Sequence, residues 1–137
     1  MRTLHNSLLP VNALDYNPYN YDDTFPGEVI DLGMGGNDFR DVEFIVYIDS
    51  VEDGTYTLEL QEYDADLDDY VACADEYILG EIPTLDDSSE GCLKFGYKAH
   101  GVQLIRLSMT SADTDDGGRF CVVALLGNGS HSPPLTG

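Results

Sequence analysis

Basic residues are scarce in this chain of 137 residues, which has 6 Lys and Arg against 26 Asp and Glu and a formal net charge of −20. Binding to nucleic acid or to an anionic membrane depends on Lys and Arg side chains near phosphate groups. The composition therefore argues against nucleic acid and membrane surfaces as partners. It allows a basic protein partner, divalent cations, or an acidic surface suited to high salt.

Long apolar runs are also missing. The sequence has no stretch of about 18 apolar residues, so we expect no membrane span. Residues 1–14 lack a continuous apolar segment and a small-residue cleavage site, and we expect no secretory signal. The three cysteines, Cys73, Cys92 and Cys121, form no Cys-x-x-Cys pair and lie in or beside apolar stretches. This pattern predicts reduced residues of a protein core.

Helical periodicity is absent, and period-two alternation of apolar and polar residues takes its place from residue 28 onward. The predicted strand segments are 28–32, 42–49, 55–63, 70–77, 92–98, 102–110 and 119–127, with a short apolar piece at 78–83. Turns rich in Gly, Asp and Ser separate them. Segments 42–49 and 55–63 are expected to form one hairpin, and 102–110 and 119–127 a second.

Length and composition complete the prediction of the fold. A chain of this size with 42% hydrophobic residues can form a single domain with a buried core. Seven or eight short strands with no helix longer than a turn are typical of an antiparallel β-sandwich. We therefore predict an all-β jelly-roll sandwich over residues 28–127, followed by a C-terminal tail at 128–137.

Residues 1–27 differ from the rest of the chain, because they contain three prolines and no regular period. Prolines at this density prevent a helix and exclude a central strand, so we predict an extended N-terminal arm. The arm is unusually aromatic for a disordered tail, which predicts docking on its own domain or on a neighbour. Its four candidate contact residues are Tyr16, Tyr19, Tyr21 and Phe25.

Patterns of catalytic or metal-binding residues are weak. Asp64, Asp66 and Asp68 have the spacing of the first half of an EF-hand loop, but the glycine and the final glutamate of such a loop are missing. We interpret them as a solvated hairpin tip, and a weak cation site there stays open. The three histidines are far apart in sequence, and no nucleophile elbow or phosphate-binding loop is present. We predict no enzymatic activity, no catalytic residue, no cofactor and no metal.

The order of several strand motifs points to one protein family. The motifs are VIDLG at 29–33, the strand at 42–49, GTYTL at 54–58, ILGEIP at 78–83 and the two strands within 102–126. With these segments the chain resembles the capsid cement, or decoration, proteins of tailed bacteriophages, as in the short-tailed Bordetella phages. The resemblance covers about residues 28–127. It implies a jelly roll on the outside of an icosahedral head that clamps neighbouring major capsid subunits, commonly as a homodimer or homotrimer.

We therefore expect a non-enzymatic virion protein on the outer capsid surface, with the major capsid protein and further copies of itself as partners. Tyr16, Tyr19, Tyr21 and Phe25 are hypothesised to contact a neighbouring subunit. The alternative is a sugar-binding or cation-binding β-sandwich, such as a receptor-binding or adhesive domain. A coplanar tyrosine patch or clustered acidic loops would favour that alternative. Whether the acidity reflects saline water or a basic shell stays open at this point.

Overall fold

The computed structural model describes residues 8–19, 21–33 and 39–127, except for the side chains of residues 8, 9 and 16–18. The predicted tail at 128–137 lies outside the described residues. Eleven strands and one 3-10 turn, Asp75–Tyr77, form the described part of the chain, which contains no helix able to span a membrane. The strands are β1 (Leu8–Tyr19), β2 (Thr24–Pro26), β3 (Ile30–Asp31), β4 (Asp41–Val51), β5 (Thr55–Asp64), β6 (Asp69–Ala72), β7 (Ile78–Leu79), β8 (Thr84–Leu85), β9 (Gly91–Lys98), β10 (Leu104–Ala112) and β11 (Gly118–Gly127).

These strands form two antiparallel sheets. Sheet 1 has the order β1-β11-β4-β9-β7. Sheet 2 has the order β2-β10-β5-β6, with β3 also pairing with β10 and β8 with β5. The predicted all-β antiparallel sandwich is confirmed. The strand order agrees with a jelly roll, because the chain crosses repeatedly between the sheets and its first strand lies beside its last.

The core lies between the sheets and follows the alternation of the strands. β4 and β5 each bury every second side chain. The largest fully buried side chains are Tyr56, Tyr97, Phe44, Phe120, Ile30, Leu60, Leu85, Ile105, Leu107, Met109, Leu126 and Val46. Burial of one large apolar side chain contributes about 1.5–3 kcal/mol. One contiguous core from both sheets therefore holds them face to face.

Both predicted hairpins are wrong. β4 pairs with β11 and β9 in sheet 1, whereas β5 pairs with β10 in sheet 2. β10 and β11 also belong to different sheets. The turns at 52–54 and 113–117 are therefore arches that cross from one sheet to the other. Alternation shows that a strand has one buried face, but it does not identify the neighbouring strand.

The side chain of Asp53 joins these two arches. Its carboxylate accepts hydrogen bonds from the backbone N–H groups of Asp115 at 3.0 Å, Asp116 at 3.0 Å and Gly117 at 2.9 Å. These three donors hold the pKa of the Asp53 carboxyl below its usual value. The buried Tyr56 hydroxyl donates to the Asp53 carbonyl at 2.8 Å. The arches are thus fixed to each other at one end of the sandwich.

The predicted strand at 70–77 is only half a strand. β6 ends at Ala72, and the 3-10 turn Asp75–Tyr77 then redirects the chain from sheet 2 to β7 in sheet 1. The hairpin of this region is β5–β6, whose tip at 64–69 coincides with the predicted turn. Asp68 takes a left-handed conformation there, with φ of 51°, which aspartate tolerates better than most residues.

The structure differs from the predicted boundary at residue 27, because the sheets begin before it. β1 is an edge strand that pairs with β11 over its length, and Ala13 and Leu14 are buried in the core. β2 pairs with β10. An edge strand tolerates proline, since N–H groups on its outer side have no partner in the ladder. Prolines that exclude a central strand therefore do not exclude β1.

Gly27, which lies between β2 and β3, is the point at which the chain contacts strands of both sheets. Its N–H donates to the carbonyl of Leu107 in β10 at 2.6 Å, and the next N–H, that of Glu28, donates to the carbonyl of Ala13 in β1 at 3.0 Å. A Cβ atom at residue 27 would lie 2.1 Å from the Ala13 oxygen. Only glycine fits this close approach of three backbone segments.

Candidate functional site

The predicted contact aromatics mostly pack on the chain's own sandwich. Tyr19 is 4% exposed, and its ring stacks on Phe120 at 5.0 Å. The half-buried Phe25 packs edge-on against Tyr19 at 5.0 Å. Tyr21 packs against Phe25 at 5.2 Å and remains 55% exposed. The side chain of Tyr16 lies outside the described residues. Tyr21 is thus the described member of the set with a largely exposed ring.

Side-chain hydrogen bonds attach residues 21–23 to sheet 2 and its arch. The Ser111 hydroxyl donates to the Tyr21 carbonyl at 2.7 Å and accepts from the Asp23 N–H at 3.0 Å. The Asp22 carboxylate accepts from the hydroxyl of Thr114 at 2.6 Å and from its N–H at 2.9 Å. These bonds lower the pKa of Asp22. This segment is an integral part of the fold rather than a free arm.

The outward side of sheet 1 carries an apolar surface. On three adjacent strands the outward apolar side chains are Ile45 and Tyr47 of β4, Cys92 of β9, and Cys121, Val123 and Leu125 of β11, and the charged residues of these strands occupy other outward positions. We call this set the apolar face. Tyr47 is 47% exposed, and its hydroxyl has no hydrogen-bond partner among the described residues. An outer sheet face that meets water normally carries polar side chains, so this surface is unusual.

The charges of the three strands that carry the apolar face sum to zero, whereas the whole chain is strongly negative. β4, β9 and β11, all fully described, contain three acids, Asp41, Glu43 and Asp49, and three bases, Lys94, Lys98 and Arg119. Half of the six basic residues of the chain therefore lie in these strands. Lys94 and Glu43 form an exposed ion pair at 3.8 Å, which is worth at most about 1 kcal/mol. The result is a neutral surface on a protein with a net charge of −20.

The outward side of sheet 2 has the opposite character. We call its set, Thr57, Glu59, Gln61, Arg106 and Thr110, the polar face. The side chains bond to one another: Gln61 donates to Glu59 at 2.7 Å, and Arg106 donates to Gln61 at 2.8 Å. The Arg106 guanidinium also lies 4.1 Å from the ring centre of Tyr70. Three of the five side chains of the polar face thus bond to one another, and Thr110 bonds to the Thr24 hydroxyl.

A buried polar cluster lies inside one end of the sandwich. The Glu62 carboxylate of β5, only 8% exposed, accepts a hydrogen bond from the Tyr97 hydroxyl of β9 at 2.6 Å and contacts the His100 imidazole. The His100 ring stacks on Tyr77 at 3.5 Å. Burial and the nearby Glu62 charge raise the pKa of the Cys73 thiol to about 12, and burial raises that of Tyr97. The cluster links the two sheets, because Glu62 belongs to β5 in sheet 2 and Tyr97 to β9 in sheet 1.

The acidic hairpin tip bonds to itself. The Asp64 carboxylate accepts from the N–H of Asp66 at 2.9 Å and of Leu67 at 3.4 Å, and the Tyr63 hydroxyl bonds to Asp68. Within the described ranges no group of three or more His, Cys, Asp or Glu side chains is arranged to hold a metal ion. These contacts agree with the interpretation of the tip as turn chemistry.

The cysteines occupy three different environments. All three are free: Cys73 is buried, Cys121 is half-buried and Cys92 is exposed. The prediction of three core residues is therefore wrong for Cys92, which lies on the outward side of β9. Burial raises the pKa of Cys121 as well.

The apolar face escaped the sequence prediction, although one signal of it was present. β11 reads RFCVVALLG and is apolar on both of its sides. A strand without alternation indicates that both of its faces are covered. β1 and β4 lie beside β11 within sheet 1, and nothing in the described chain covers its outward side.

Comparisons with known proteins give a fold but no family. No protein-family model matches the chain, and a search of curated proteins finds no match. Among solved structures, the chain is similar to the SPBc2 prophage-derived protein YomS, with a TM-score of 0.52 and 9% identity over 88% of this chain and 93% of that one. It is also similar to a chain of infectious bursal disease virus, Gx strain, with a TM-score of 0.51 and 9% identity over 90% of this chain and 33% of that one. At this identity the likeness shows the fold alone.

Proposed function

We propose that this chain is a virion structural protein that decorates the outer surface of an icosahedral phage head and clamps neighbouring major capsid subunits. The apolar face is the observation that carries the proposal. A protein with a net charge of −20 places partly buried aliphatic side chains and the exposed Tyr47 ring on strands with no net charge. Such a surface is suited to contact with another protein, and the polar face on the opposite sheet is suited to water.

The origin of the two proteins with similar folds supports this assignment. One solved structure is named as prophage-derived and the other is that of a virus. The pairing of β1 with β11 along its length closes one edge of the sandwich, which suits a protein that bears load. We therefore place the apolar face against the shell and the polar face outward.

The size of the apolar face sets the strength of a single contact. Three strands about 4.8 Å apart and roughly 26 Å long cover about 370 Å². A two-sided contact of roughly 750 Å² lies below the usual size of a specific, stable protein interface. One such contact binds weakly, so bridging two capsid subunits increases the affinity through effective concentration. Binding only the assembled lattice then stabilises the shell against disassembly.

The test is reconstitution on purified phage heads that lack the chain. The purified chain is added at increasing concentration, and occupancy is measured by sedimentation and quantitative gel analysis. We expect saturable binding with a fixed number of copies per head and a higher temperature of DNA release. The Tyr47→Asp variant should bind at least about tenfold more weakly, because it places a charge at the centre of the contact. The matched variant Thr57→Asp on the polar face should bind like the parent chain. Absence of saturable binding would overturn the proposal.

A further inference from the structure

A small pocket lies at the seam between the two sheets, where β1 ends and β2 begins. Its volume is about 140 Å³, and its apolar lining comes from Leu14, Tyr19, Phe25 and Pro26. Small-molecule sites usually have volumes of about 300–1,000 Å³. The seam pocket is therefore the right size for a single side chain rather than a sugar or a nucleotide.

Two acidic residues complete the lining of the seam pocket. Asp15 of β1 and Glu28, just after β2, are both exposed and lie on opposite sides of the seam. Among the described residues the ion pairs are Lys94 with Glu43 and His100 with Glu62. Asp15 and Glu28 thus have no basic partner within the described chain. A group that enters the pocket meets two uncompensated carboxylates.

The backbone holds this geometry firmly. The Tyr19 hydroxyl donates to the Asp15 carbonyl at 2.6 Å, so the ring spans the pocket wall along β1. Glu28 follows Gly27, whose close contacts with both sheets fix the position of the chain. The pocket is therefore formed before any partner binds, which lowers the entropic cost of binding.

Apolar and aromatic walls with carboxylates at the edge match the chemistry of a basic side chain. The methylene stem of Lys or Arg packs on apolar surface while its charged group meets carboxylates. Aromatic rings add a cation–π attraction. The molecule already contains such a contact, that of the Arg106 guanidinium with the Tyr70 ring at 4.1 Å. The exposed ring of Tyr21, packed on Phe25, extends the aromatic surface beside the pocket.

We propose that the seam pocket binds a lysine or arginine side chain of a partner protein. This inference goes beyond the head-binding function and does not rest on it, because a basic anchor side chain fits the pocket whichever protein carries it. The pocket lies at the edge of sheet 1, away from the centre of the apolar face. One copy can therefore contact two separate protein surfaces.

The test uses the intact chain and single amino acid amides as probes. Nα-acetyl-lysine amide, Nα-acetyl-arginine amide and the uncharged Nα-acetyl-norleucine amide are titrated against the ¹⁵N-labelled chain. We expect the two basic probes to shift the amide signals of Gly27, Glu28 and Tyr21 with dissociation constants on the order of 10 mM, since a single exposed charge contact is weak. Norleucine amide should leave these signals unchanged. An equal response to norleucine amide, or no saturable response to any probe, would overturn the proposal.

Variants separate the pocket from general attraction to an acidic protein. Asp15→Asn and Glu28→Gln should each weaken the binding of lysine amide roughly two- to five-fold, and the two together roughly tenfold. Phe25→Leu, which keeps the apolar wall but removes the ring, should weaken arginine amide binding about threefold. Glu90→Gln removes an exposed carboxylate elsewhere and should change nothing. Equal effects of Glu90→Gln and Glu28→Gln would show non-specific charge attraction and contradict the site.

Discussion

The two sheets of this sandwich bury similar inner faces but present opposite outer faces. On sheet 2, Gln61, Glu59 and Arg106 bond to one another. On sheet 1, Ile45 and Tyr47 lie beside the apolar Val123 and Cys121 of β11, and the strand charges cancel. A free-standing domain gains nothing from leaving such a surface in water. Our proposal therefore places sheet 1 against another protein and sheet 2 in solvent.

The comparison of the two sheets also shows where the excess negative charge lies. The three central strands of sheet 1 sum to zero, so the excess of acids lies elsewhere, as in the hairpin tip at 64–69 and the arch at 113–117. Neutral strands allow the apolar face to approach another protein without the repulsion that the remaining surface would exert.

The largest expected effect comes from making the two faces alike. The triple variant Ile45→Thr, Tyr47→Thr and Val123→Thr keeps β-forming side chains but removes most of the apolar area. We expect its affinity for heads to fall roughly 100-fold or more in the sedimentation assay. The reciprocal variant Thr57→Val with Thr110→Val should bind like the parent chain. A gain in head binding by the reciprocal variant would contradict a specific role of sheet 1, because it would show that any apolar sheet face is enough for binding.

Thiol labelling reports the two environments without changing the sequence. Cys92 lies on the apolar face and is exposed, whereas Cys73 is buried with its pKa raised to about 12. Only the thiolate reacts, and the raised pKa keeps the Cys73 thiol protonated at pH 8. We expect head binding to slow iodoacetamide labelling of Cys92 about tenfold, measured by mass spectrometry. Labelling of Cys73 should stay slow in both the free and the head-bound chain. Equal labelling of Cys92 in free and bound chains would contradict contact through this face.

A variant with a smaller expected effect tests whether the charge balance on the apolar face matters for head binding. Lys94→Glu removes the ion pair with Glu43 and changes the sum over the three strands from zero to −2. We expect about fivefold weaker head binding at low ionic strength, and a smaller difference at 0.5 M salt because the charges are screened. Gln61→Glu adds a negative charge to the polar face and should change the affinity less than twofold. If both variants weaken binding equally, total charge rather than its location determines affinity.

The arch residue Asp53 should affect stability but hardly affect binding. Its folded-state pKa lies below the ordinary value of 3.8 because three N–H groups donate to it. Its stabilisation is therefore complete above about pH 4 and is lost as the pH falls through the lower, folded-state pKa. Asp53→Ala should unfold at lower denaturant concentration at pH 7 and approach the parent chain near pH 2. Head affinity should change less than twofold. A constant difference at all pH values would contradict this role, and Asp87→Ala serves as the control.

Sequence reasoning recovers the strands better than their arrangement. The segments at 42–49, 55–63, 92–98 and 119–127 fall within strands, and 102–110 overlaps β10 from residue 104 onward. In 42–49 and 55–63 this follows from one buried side, which imposes period two. Their pairing is not encoded in that period, so arches between sheets look like hairpin turns. The Asp53 carboxylate that joins the arches accepts from residues more than 60 positions away, which no local pattern can show.

The candidate site was only partly accessible from the sequence. The aromatic composition of residues 1–27 indicates docking, but it does not distinguish the protein's own core, which holds Tyr19, from a partner. That Tyr21 contacts a neighbour stays a prediction. The apolar face depends on register, because Ile45 and Val123 become neighbours only when β4 pairs with β11. The seam pocket joins Asp15 and Glu28 through the backbone contacts of Gly27, and these too arise only in the folded chain.

The most direct test of the central claim is an image reconstruction of the phage head that contains this chain. We predict density for the sandwich on the outer surface, with β4, β9 and β11 against the shell and the polar face toward solvent. Tyr47 should lie within contact distance of a capsid subunit, and Thr57 should not. A reconstruction with sheet 2 against the shell, or with the chain absent from the head, would contradict the account.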